Sequence, residues 1–337
     1  MFARPPLLLL LFLAPWRALA VETVQIETAK GRFSIENESL TDLSGIAWMG
    51  GDAFAAVSDK RNAIQLLTLA IDPNTGAITG GHFGDVGPVG SKAGDFEGIV
   101  WDSVSKAFHL TAEKGNALLR FTPGQPAARP LPVPAVFSKA RSNLSLESLT
   151  WSDAARQFWI SNEEALKGDG PISSPTAGTL VRLQSFDAKF RPLAQYAWRT
   201  EPAGFRYGNA GSGVSDLCLL PGGELIVLER GFAEGGLHLR LFLADFTSAT
   251  DISALPALDG AKFSAAGKTL LYEETTGFIN YEGLTLGPSL AGGWRSLIVV
   301  ADSNGTSLHN FLALKVRWPV GPAPAQPGQA PARPRRK

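Results

Sequence analysis

Three glutamates stand at matching positions in short apolar segments of this chain. Glu97, Glu147 and Glu282 each follow a large apolar residue and precede a glycine or serine, and further apolar residues come next. Side chains flanked in this way are expected to be buried, where neighbouring carboxylates repel one another and hold protons tightly unless a cation compensates. Hard divalent cations prefer such oxygen ligands. The pattern therefore predicts a metal site, with Ca²⁺ as the first choice and Mg²⁺ as the second.

A second set of acids ends further apolar segments along the chain. It contains Asp59, Glu113, Glu163, Glu229 and Asp302. We expect Glu229 and Asp302 to join the three glutamates as metal ligands. For the members of this set the alternative is a structural role, as a turn cap or as the partner of a nearby cation.

Cations follow several of these acids directly. Lys114 follows Glu113, and Arg230 follows Glu229 at the end of an apolar strand-like run. Carboxylates, a metal and cations together suit a phosphate ester, because the metal and the cations offset the charge of the substrate and of its transition state. Arg230 and Lys114 are therefore the predicted substrate-binding residues, and surface ion pairs are the alternative.

These residues lie in a module that the chain repeats five times. Each module opens on a short strand, and successive openings begin 53, 50, 68 and 67 residues apart. The opening strands are Leu43–Trp48, Phe96–Trp101, Leu146–Trp151, Val214–Leu219 and Tyr281–Leu286. A turn, a second strand ending in an acid and a third strand follow, whereas long amphipathic helical patterns are missing. Repeated antiparallel units of this kind are typical of a β-propeller.

We predict an all-β propeller with six blades, of which five are legible in the repeats. The less regular stretch around Phe263–Glu273 would form the sixth blade, and Thr23–Ile26 would add the strand that closes the ring. A β-sandwich is the alternative, but it would not repeat one motif five times. Because the innermost strands line the channel of a propeller, acids at one module position are expected to be neighbours around its axis.

Both ends of the chain fall outside this fold. Residues 1–20 predict a cleaved signal peptide, with the apolar run Leu7–Leu13 and a cleavage site at Ala18–Ala20. Residues 319–337 are rich in proline and alanine, close with four basic residues and are expected to be disordered. The propeller domain is then 21–318, its destination is the periplasm or the extracellular space, and no other segment is long and apolar enough to span a bilayer.

The charge balance bears on the class of partner. The chain has 31 basic and 31 acidic residues; six of the basic ones lie in the two ends, which leaves 25 basic against 31 acidic and a net charge of −6 in residues 21–318. A nucleic-acid binder would show a basic face instead. We therefore expect a monomer that acts on a small-molecule substrate. Cys218 is the sole cysteine, so no intrachain disulfide forms in the oxidising compartment.

Other catalytic patterns are missing from the sequence. There is no G-x-S-x-G elbow of an α/β-hydrolase. The glycine-rich stretch Gly84–Lys92 has the wrong spacing for a phosphate-binding loop and does not open a helix. The four histidines occupy unrelated positions, so a site for a soft metal is poorly supplied.

Several short phrases occur together along the chain. They are GDFEGI at 94–99, LESLTW at 146–151, SNEE at 161–164, GVSDL at 213–217, ER at 229–230 and YEGL at 281–284. As an ordered set they resemble the phytase-like family, which is also described as having esterase-like activity of phytase, from about residue 40 to residue 316.

The resemblance implies a secreted β-propeller with recurring acids and a phosphoesterase role. Carried over to this sequence, it points to Glu97, Glu147, Glu163, Glu229, Arg230 and Glu282. Two modules depart from the acid–glycine pattern of the opening strand, since they have Ser44-Gly45 and Ser215-Asp216. The predicted ring of acids is therefore incomplete.

Three functions follow as hypotheses. The first is a metal-assisted phosphoric-ester hydrolase, with Arg230 on the phosphate and a water activated by the metal. Its catalytic residues would be Glu97, Glu147, Glu163 and Glu282. The second is a lactone or sugar-ester hydrolase of the calcium-propeller type, to whose metal set Asn162 and Asn304 would contribute. The third is a non-catalytic propeller that binds a ligand or partner through its rim loops, Glu164–Gly178 and Arg199–Gly213.

Overall fold

The computed structural model describes residues 23–204, 211–233 and 236–319, which form an almost entirely β structure. Within these residues the helical elements are two short 3₁₀ helices, Ala135–Lys139 and Ala291–Gly293. None of the helices described there is long and apolar enough to cross a membrane. The predicted signal peptide, and the predicted tail beyond Pro319, lie outside the described residues.

In the described part of the chain, twenty strands form five antiparallel sheets of four strands each. Blade 1 contains β2 (Leu43–Gly50), β3 (Ala53–Ser58), β4 (Arg61–Ile71) and β5 (Ile78–Pro88). Blade 2 contains β6 (Gly94–Asp102), β7 (Ala107–Lys114), β8 (Ala117–Phe121) and β9 (Arg129–Leu131). Blade 3 contains β10 (Leu146–Ser152), β11 (Gln157–Asn162), β12 (Leu180–Asp187) and β13 (Pro192–Arg199).

The last two blades complete the ring. Blade 4 contains β14 (Gly213–Leu219), β15 (Leu225–Ala233), β16 (Gly236–Asp245) and β17 (Gly267–Gly277). Blade 5 contains β18 (Asn280–Ser289), β19 (Arg295–Asp302), β20 (Leu308–Arg317) and, as its outer strand, β1 (Gln25–Glu36). Each inner strand contacts the inner strands of the two neighbouring blades, so the five sheets close on themselves.

The β-propeller is confirmed, but the prediction of six blades is wrong for the part of the chain that the structure describes. The stretch around Phe263–Glu273 forms no sheet of its own: its ordered part belongs to β17, the outer strand of blade 4. The wider spacing of the last modules comes from long loops, including the excursion between β16 and β17. The N-terminal strand does close the ring, since Gln25 pairs with Arg317 of β20.

Each blade buries both faces of its sheet against its neighbours. In β19, Leu297 and Val299 pack into the core shared with blade 4, whereas Ile298 and Val300 pack into the core shared with blade 1. Alternate residues of a strand point to opposite faces, so a strand buried on both sides reads as a continuous apolar run. This arrangement explains why the repeated segments of the sequence lack polar alternation.

Glycines in the inner strands let neighbouring blades approach closely. A Cβ atom on Gly45 would lie 2.3 Å from the carbonyl oxygen of Glu97 in the next blade, and one on Gly98 would lie 2.7 Å from the backbone nitrogen of Leu149. These distances are below any ordinary contact, and the atoms met are backbone atoms that cannot swing away. A glycine at this position of the inner strand is therefore required by the packing of these blades.

We expect Gly45→Ala to lower the free energy of unfolding by about 1–3 kcal/mol, the usual cost of overpacking a tight site. Urea denaturation measures this change. Gly80→Ala is the matched control, because a Cβ atom on Gly80 meets nothing within 4 Å. An equal effect of the two substitutions would contradict the requirement for close approach at Gly45.

Blade 4 has Asp216 where the glycines stand in blades 1, 2 and 5. Its carboxylate accepts backbone N–H bonds from Leu217 at 2.8 Å and from Leu284 of blade 5 at 2.6 Å, and it also accepts one from Leu149 of blade 3. Burial raises the pKa of Asp216 well above its usual range, while these three donors oppose the shift. Asp216 thus ties three blades together at the axis.

A candidate acidic site at one mouth of the channel

A β-bulge interrupts the inner strand of every blade at the same place. The pairing of the inner strand with its neighbour shifts register between Leu43 and Gly45 in blade 1, and equivalent shifts occur in the other four blades. The residues at or within these bulges are Ser44, Glu97, Glu147, Ser215 and Glu282. Because a bulge re-aims a side chain, all five positions are presented together at one end of the inner strands.

A second ring comes from the second strand of each blade. Its members directly follow the residue that pairs with the first apolar residue of the inner strand. Opposite the start of the inner strands, Leu43 pairs with Ser58, Leu146 with Asn162, and the other blades pair in the same way. The next residues along the chain are Asp59, Glu113, Glu163, Arg230 and Asp302. Blade 4 therefore supplies an arginine where each of the other four blades supplies an acid.

The structure does not bring Glu229 into this ring, although the repeats of the sequence predicted that it would join the other acids. Val214 pairs with Glu229, so Glu229 corresponds to Ser58 of blade 1 and faces away from the axis. A shift of one residue along a strand places the side chain on the opposite face of the sheet. Glu229 is 1% exposed and accepts hydrogen bonds from Trp198 Nε1 at 2.7 Å and from the backbone of Glu201 at 2.8 Å.

Apart from Ser215, the residues of the two rings line a cavity of about 330 Å³, which we call the carboxylate cavity. Its ionisable lining residues are Asp59, Lys60, Asp95, Glu97, Glu113, Glu147, Glu163, Arg230, Glu282 and Asp302. Eight carboxyl groups thus face two cationic groups. The remaining lining residues are Ser44, Asn143, Leu144 and Asn280. Such an excess of one charge in a concave site attracts cations.

Arg230 crosses the cavity and holds acids from two other blades. Its NH2 donates to Glu163 Oε1 at 2.5 Å, and its NH1 donates to Glu282 Oε1 at 2.6 Å and to Asn280 Oδ1 at 3.2 Å. The side chain is only 15% exposed. Burial alone would lower the pKa of Arg230, but Glu282, Glu163 and Glu147 together raise it. Arg230 therefore stays charged.

Three of the acids are close enough to share one ion. Among the described residues, Glu113, Glu147 and Glu163 offer carboxylate oxygens that all lie within 4.8 Å of one another. The backbone N–H of Ser145 donates to Glu113 Oε1 at 3.0 Å and holds that side chain in place. Two of these residues belong to the second ring and one to the bulge ring, so the group forms where both rings meet.

Burial near other acids raises the pKa values of three carboxyls in the cavity. Burial, and then the charges of Glu282 and Glu113, raise the pKa of Glu97 well above its usual range. Burial and the charges of Glu163 and Glu97 do the same to Glu147. Burial raises the pKa of Glu282 to about 8, against the opposing charge of Arg230. The raised pKa keeps Glu282 largely protonated at neutral pH.

This electrostatic arrangement predicts how stability depends on pH without metal. A carboxyl whose pKa is raised on folding binds more protons in the native state, so its stabilising effect is present at low pH and is lost as pH rises through the folded pKa. For Glu282 the window runs from its ordinary value of 4.5 to about 8. In a chelating buffer, we expect the melting temperature to fall from pH 5 to pH 8.

Glu282→Gln removes one titrating group and should make this fall shallower. The exposed Glu38→Gln is the matched control and should keep the slope of the unmodified protein. Differential scanning calorimetry between pH 5 and pH 9 provides the measurement. A melting temperature that rises across this interval would show that the cavity carboxyls are already ionised.

The remaining predicted residues lie elsewhere. Lys114 is exposed and lines a neighbouring cavity of about 760 Å³, which shares Asp95, Glu113 and Asn143 with the carboxylate cavity. Asn304 is exposed, and its backbone nitrogen donates to Asp302 at 2.8 Å.

Asn162 and the first predicted rim loop make contacts inside the protein. Asn162 is buried, and its side chain donates to the backbone of Glu164 and accepts from that of Arg182. The loop Glu164–Gly178 is anchored inside the protein by the ion pair of Asp169 with Arg182. The second loop, Arg199–Gly213, includes residues 205–210, which lie outside the described residues.

Sequence reasoning missed Asn280 and Asp95, which also line the carboxylate cavity. Asn280 donates through Nδ2 to Glu282 Oε1 at 2.7 Å and to Asp302 Oδ2 at 3.4 Å. Both residues directly precede the apolar residue that opens an inner strand, as Asp42 does in blade 1. This shared module position was the signal that would have found them.

Comparison with known proteins assigns the family. The family model described as "Phytase-like: Esterase-like activity of phytase" matches residues 38–305, which is most of the chain. The chain belongs to the phytase-like family. Its match covers all five inner strands and both rings of this phytase-like propeller. No curated protein matches the sequence.

Solved structures of other proteins resemble this phytase-like chain in fold. The PQQ-bound aldose sugar dehydrogenase from Streptomyces coelicolor aligns with 13% identity and a TM-score of 0.41, over 88% of this chain and 98% of that one. A streptogramin B lyase aligns with 11% identity and a TM-score of 0.38, over 87% and 100% of the two chains. A luciferin-regenerating enzyme aligns with 11% identity and a TM-score of 0.38, over 89% and 99%.

Proposed function

We propose that this phytase-like propeller is an exported hydrolase of phosphoric esters that works with a divalent cation in the carboxylate cavity. One observation carries the proposal: Glu113, Glu147 and Glu163 converge within 4.8 Å beside Arg230, the cation that crosses the cavity. Membership of the phytase-like family supports the choice of a phosphate ester as substrate. Export rests on the signal peptide predicted from residues 1–20.

The convergent carboxylates fit a calcium ion. Calcium takes oxygen ligands at about 2.3–2.6 Å, so two ligands on opposite sides of one ion lie about 5 Å apart. The spread of 4.8 Å within the group of Glu113, Glu147 and Glu163 satisfies this limit. Of the ligands predicted from sequence, only Glu147 belongs to this group. The cation would supply positive charge to the phosphate and lower the pKa of a water molecule.

Arg230 is the residue best placed to bind the phosphate group. Its guanidinium already donates to Glu163 and Glu282, and its Nε has no hydrogen-bond partner among the described residues. If Glu163 bound the cation, the NH2 group of Arg230 would lose this partner and would be available to another acceptor in the cavity. A phosphate oxygen could then take the place of the carboxylate, because a planar guanidinium suits both groups.

The acids with raised pKa values are suited to proton transfer. Glu282, whose pKa lies at about 8, holds a proton at neutral pH and lines the cavity beside Arg230. Burial likewise raises the pKa of Glu97. A protonated carboxyl close to the bound phosphate can donate its proton to the leaving oxygen of the ester. We therefore assign Glu97 and Glu282 as candidate general acids.

A second candidate function is the opening of a lactone or the hydrolysis of a sugar ester. Calcium propellers of that type use an asparagine with an aspartate and a glutamate, and this cavity contains such a set in Asn280, Asp302 and Glu282. Asn162 and Asn304, which the sequence suggested for this role, do not line the cavity.

Parallel assays separate the two candidates. The purified protein is given 4-nitrophenyl phosphate or δ-gluconolactone, each with millimolar Ca²⁺ and again with chelator. Chelator-sensitive release of nitrophenol supports the phosphoesterase. Lactone opening without phosphatase activity supports the second candidate, and inactivity on both substrates would overturn the proposed hydrolase function.

A further inference from the structure

The opposite mouth of the channel holds a second cavity of about 530 Å³, lined mainly by apolar side chains. It lies at the far ends of the same inner strands whose starts carry the carboxylates. The last residue of each of the five opening strands lines this cavity. These residues are Trp48, Trp101, Trp151, Leu219 and Leu286. We call this space the tryptophan cavity.

The rings of the three tryptophans pack partly against the core and partly line the cavity. Trp101 packs on Phe108 with ring centroids 4.7 Å apart, and Trp151 stacks on Phe158 at 4.1 Å. Each tryptophan is only half-buried, since the rest of the ring faces the cavity. Apolar surface left in a concave site gains free energy when a ligand removes it from water. The walls therefore favour a flat apolar partner.

One cation faces this cavity without a counter-charge. Arg295 lines the cavity with its Cζ 4.8 Å from the ring centroid of Trp48, and its Nε donates to the carbonyl of Gly287 at 2.7 Å. Within the described residues no carboxylate forms an ion pair with Arg295. Burial lowers its pKa, as expected for an uncompensated cation.

Among the described residues, Asp153 is the acid that lines the tryptophan cavity, and neutral donors already occupy its oxygens. It accepts from Trp151 Nε1 at 2.7 Å and from Ser103 Oγ at 2.5 Å. Arg295 is therefore the charged group of this lining that is left to bind a ligand. An anionic group on the ligand would match it, in contrast to the cation preference of the carboxylate cavity.

We propose that the tryptophan cavity binds a small aromatic carboxylate, with its flat ring against the tryptophans and its carboxylate on Arg295. This site is separate from the carboxylate cavity and does not depend on the proposed hydrolase activity. Asp216 and the inner-strand backbone lie between the two cavities, because Leu149 and Leu284, which bond to Asp216, line the tryptophan cavity.

The test uses 2-naphthoate as the probe and the full chain in a chelating buffer, so that no cation can bridge the probe to the carboxylate cavity. We expect saturable quenching of tryptophan fluorescence, confirmed by calorimetry. The neutral analogue 2-naphthamide should bind about 10-fold to 100-fold more weakly, the range for losing one charge-assisted contact. Equal binding of both compounds, or no saturable binding of 2-naphthoate, would overturn the proposal.

Substitutions locate the probe. Arg295→Gln should weaken 2-naphthoate by the same factor and leave 2-naphthamide unchanged, and Trp101→Leu, which installs the residue type of blades 4 and 5, should weaken both. Trp294→Leu is the matched control, because that ring lies under Lys315 and Arg317 and does not line the cavity. If neither Arg295→Gln nor Trp101→Leu changes the affinity, the probe binds elsewhere and the proposal fails.

Discussion

Glu147→Gln is expected to abolish calcium binding and calcium-dependent hydrolysis while leaving the protein folded. Glu147 is the member of the convergent group that comes from the bulge ring, and the residue is 7% exposed. Loss of residues that merely support metal ligands costs about 10–100-fold in affinity, so loss of a direct ligand should cost at least that much. Calorimetric titration with Ca²⁺ and the phosphate-ester assay measure the two effects.

The metal-free stability of this variant separates loss of binding from loss of structure. The amide of glutamine is neutral and nearly isosteric, and burial already raises the pKa of Glu147, so the substitution should not destabilise the protein in chelator. Glu38→Gln, on an exposed turn, should bind calcium as the unmodified chain does. Unchanged calcium affinity in Glu147→Gln would remove this residue from the metal site.

Arg182→Met is expected to lower the free energy of unfolding by about 3–5 kcal/mol, because it leaves a buried negative charge without its cationic partner. Arg182 is fully buried, and it donates to Asp169 through Nε at 2.6 Å and through NH2 at 2.7 Å. Its NH1 also donates to Gln195 at 2.6 Å and to the backbone of Leu255 at 3.1 Å. The substitution therefore leaves Asp169, which is 1% exposed, without its partner.

Chemical denaturation with two further variants tests the mechanism. In Arg182→Met combined with Asp169→Asn no charge remains unpaired, so the double variant should be more stable than Arg182→Met alone. Arg191→Met breaks a second arginine–aspartate pair, whose arginine is 76% exposed, and should cost only about 0–1 kcal/mol. Similar losses for Arg182→Met and Arg191→Met would show that burial of the pair does not decide its contribution.

Much of the fold was readable from local patterns. The five opening strands found in the sequence are inner strands of the five blades, and the strand around Thr23–Ile26 does close the ring. These features are local because apolar runs and turn residues repeat with the module. The number of blades could not be read from local patterns, because the stretch after Phe263 joins blade 4 through pairing with β16.

Part of the candidate site could also be predicted from the sequence. Glu97, Glu147, Glu163, Glu282 and Asp302 line one cavity, as their matching module positions predicted, and Arg230 lines it too. Glu229 was misplaced by a single position, because Val214 pairs with Glu229 and the ring position of blade 4 is the next residue, Arg230. The acid of that blade consequently faces Trp198, and Arg230 takes its place in the ring.

The sequence by itself determined that repeated strands would gather acids around one axis, since a repeat places equivalent residues at equivalent points of a closed ring. Only the tertiary structure decided where each side chain points. The bulges at Glu97, Glu147 and Glu282 depend on hydrogen bonds between strands, and the approach of Glu113 to Glu147 and Glu163 depends on the packing of two blades. These are long-range contacts, and no local pattern of residues specifies them.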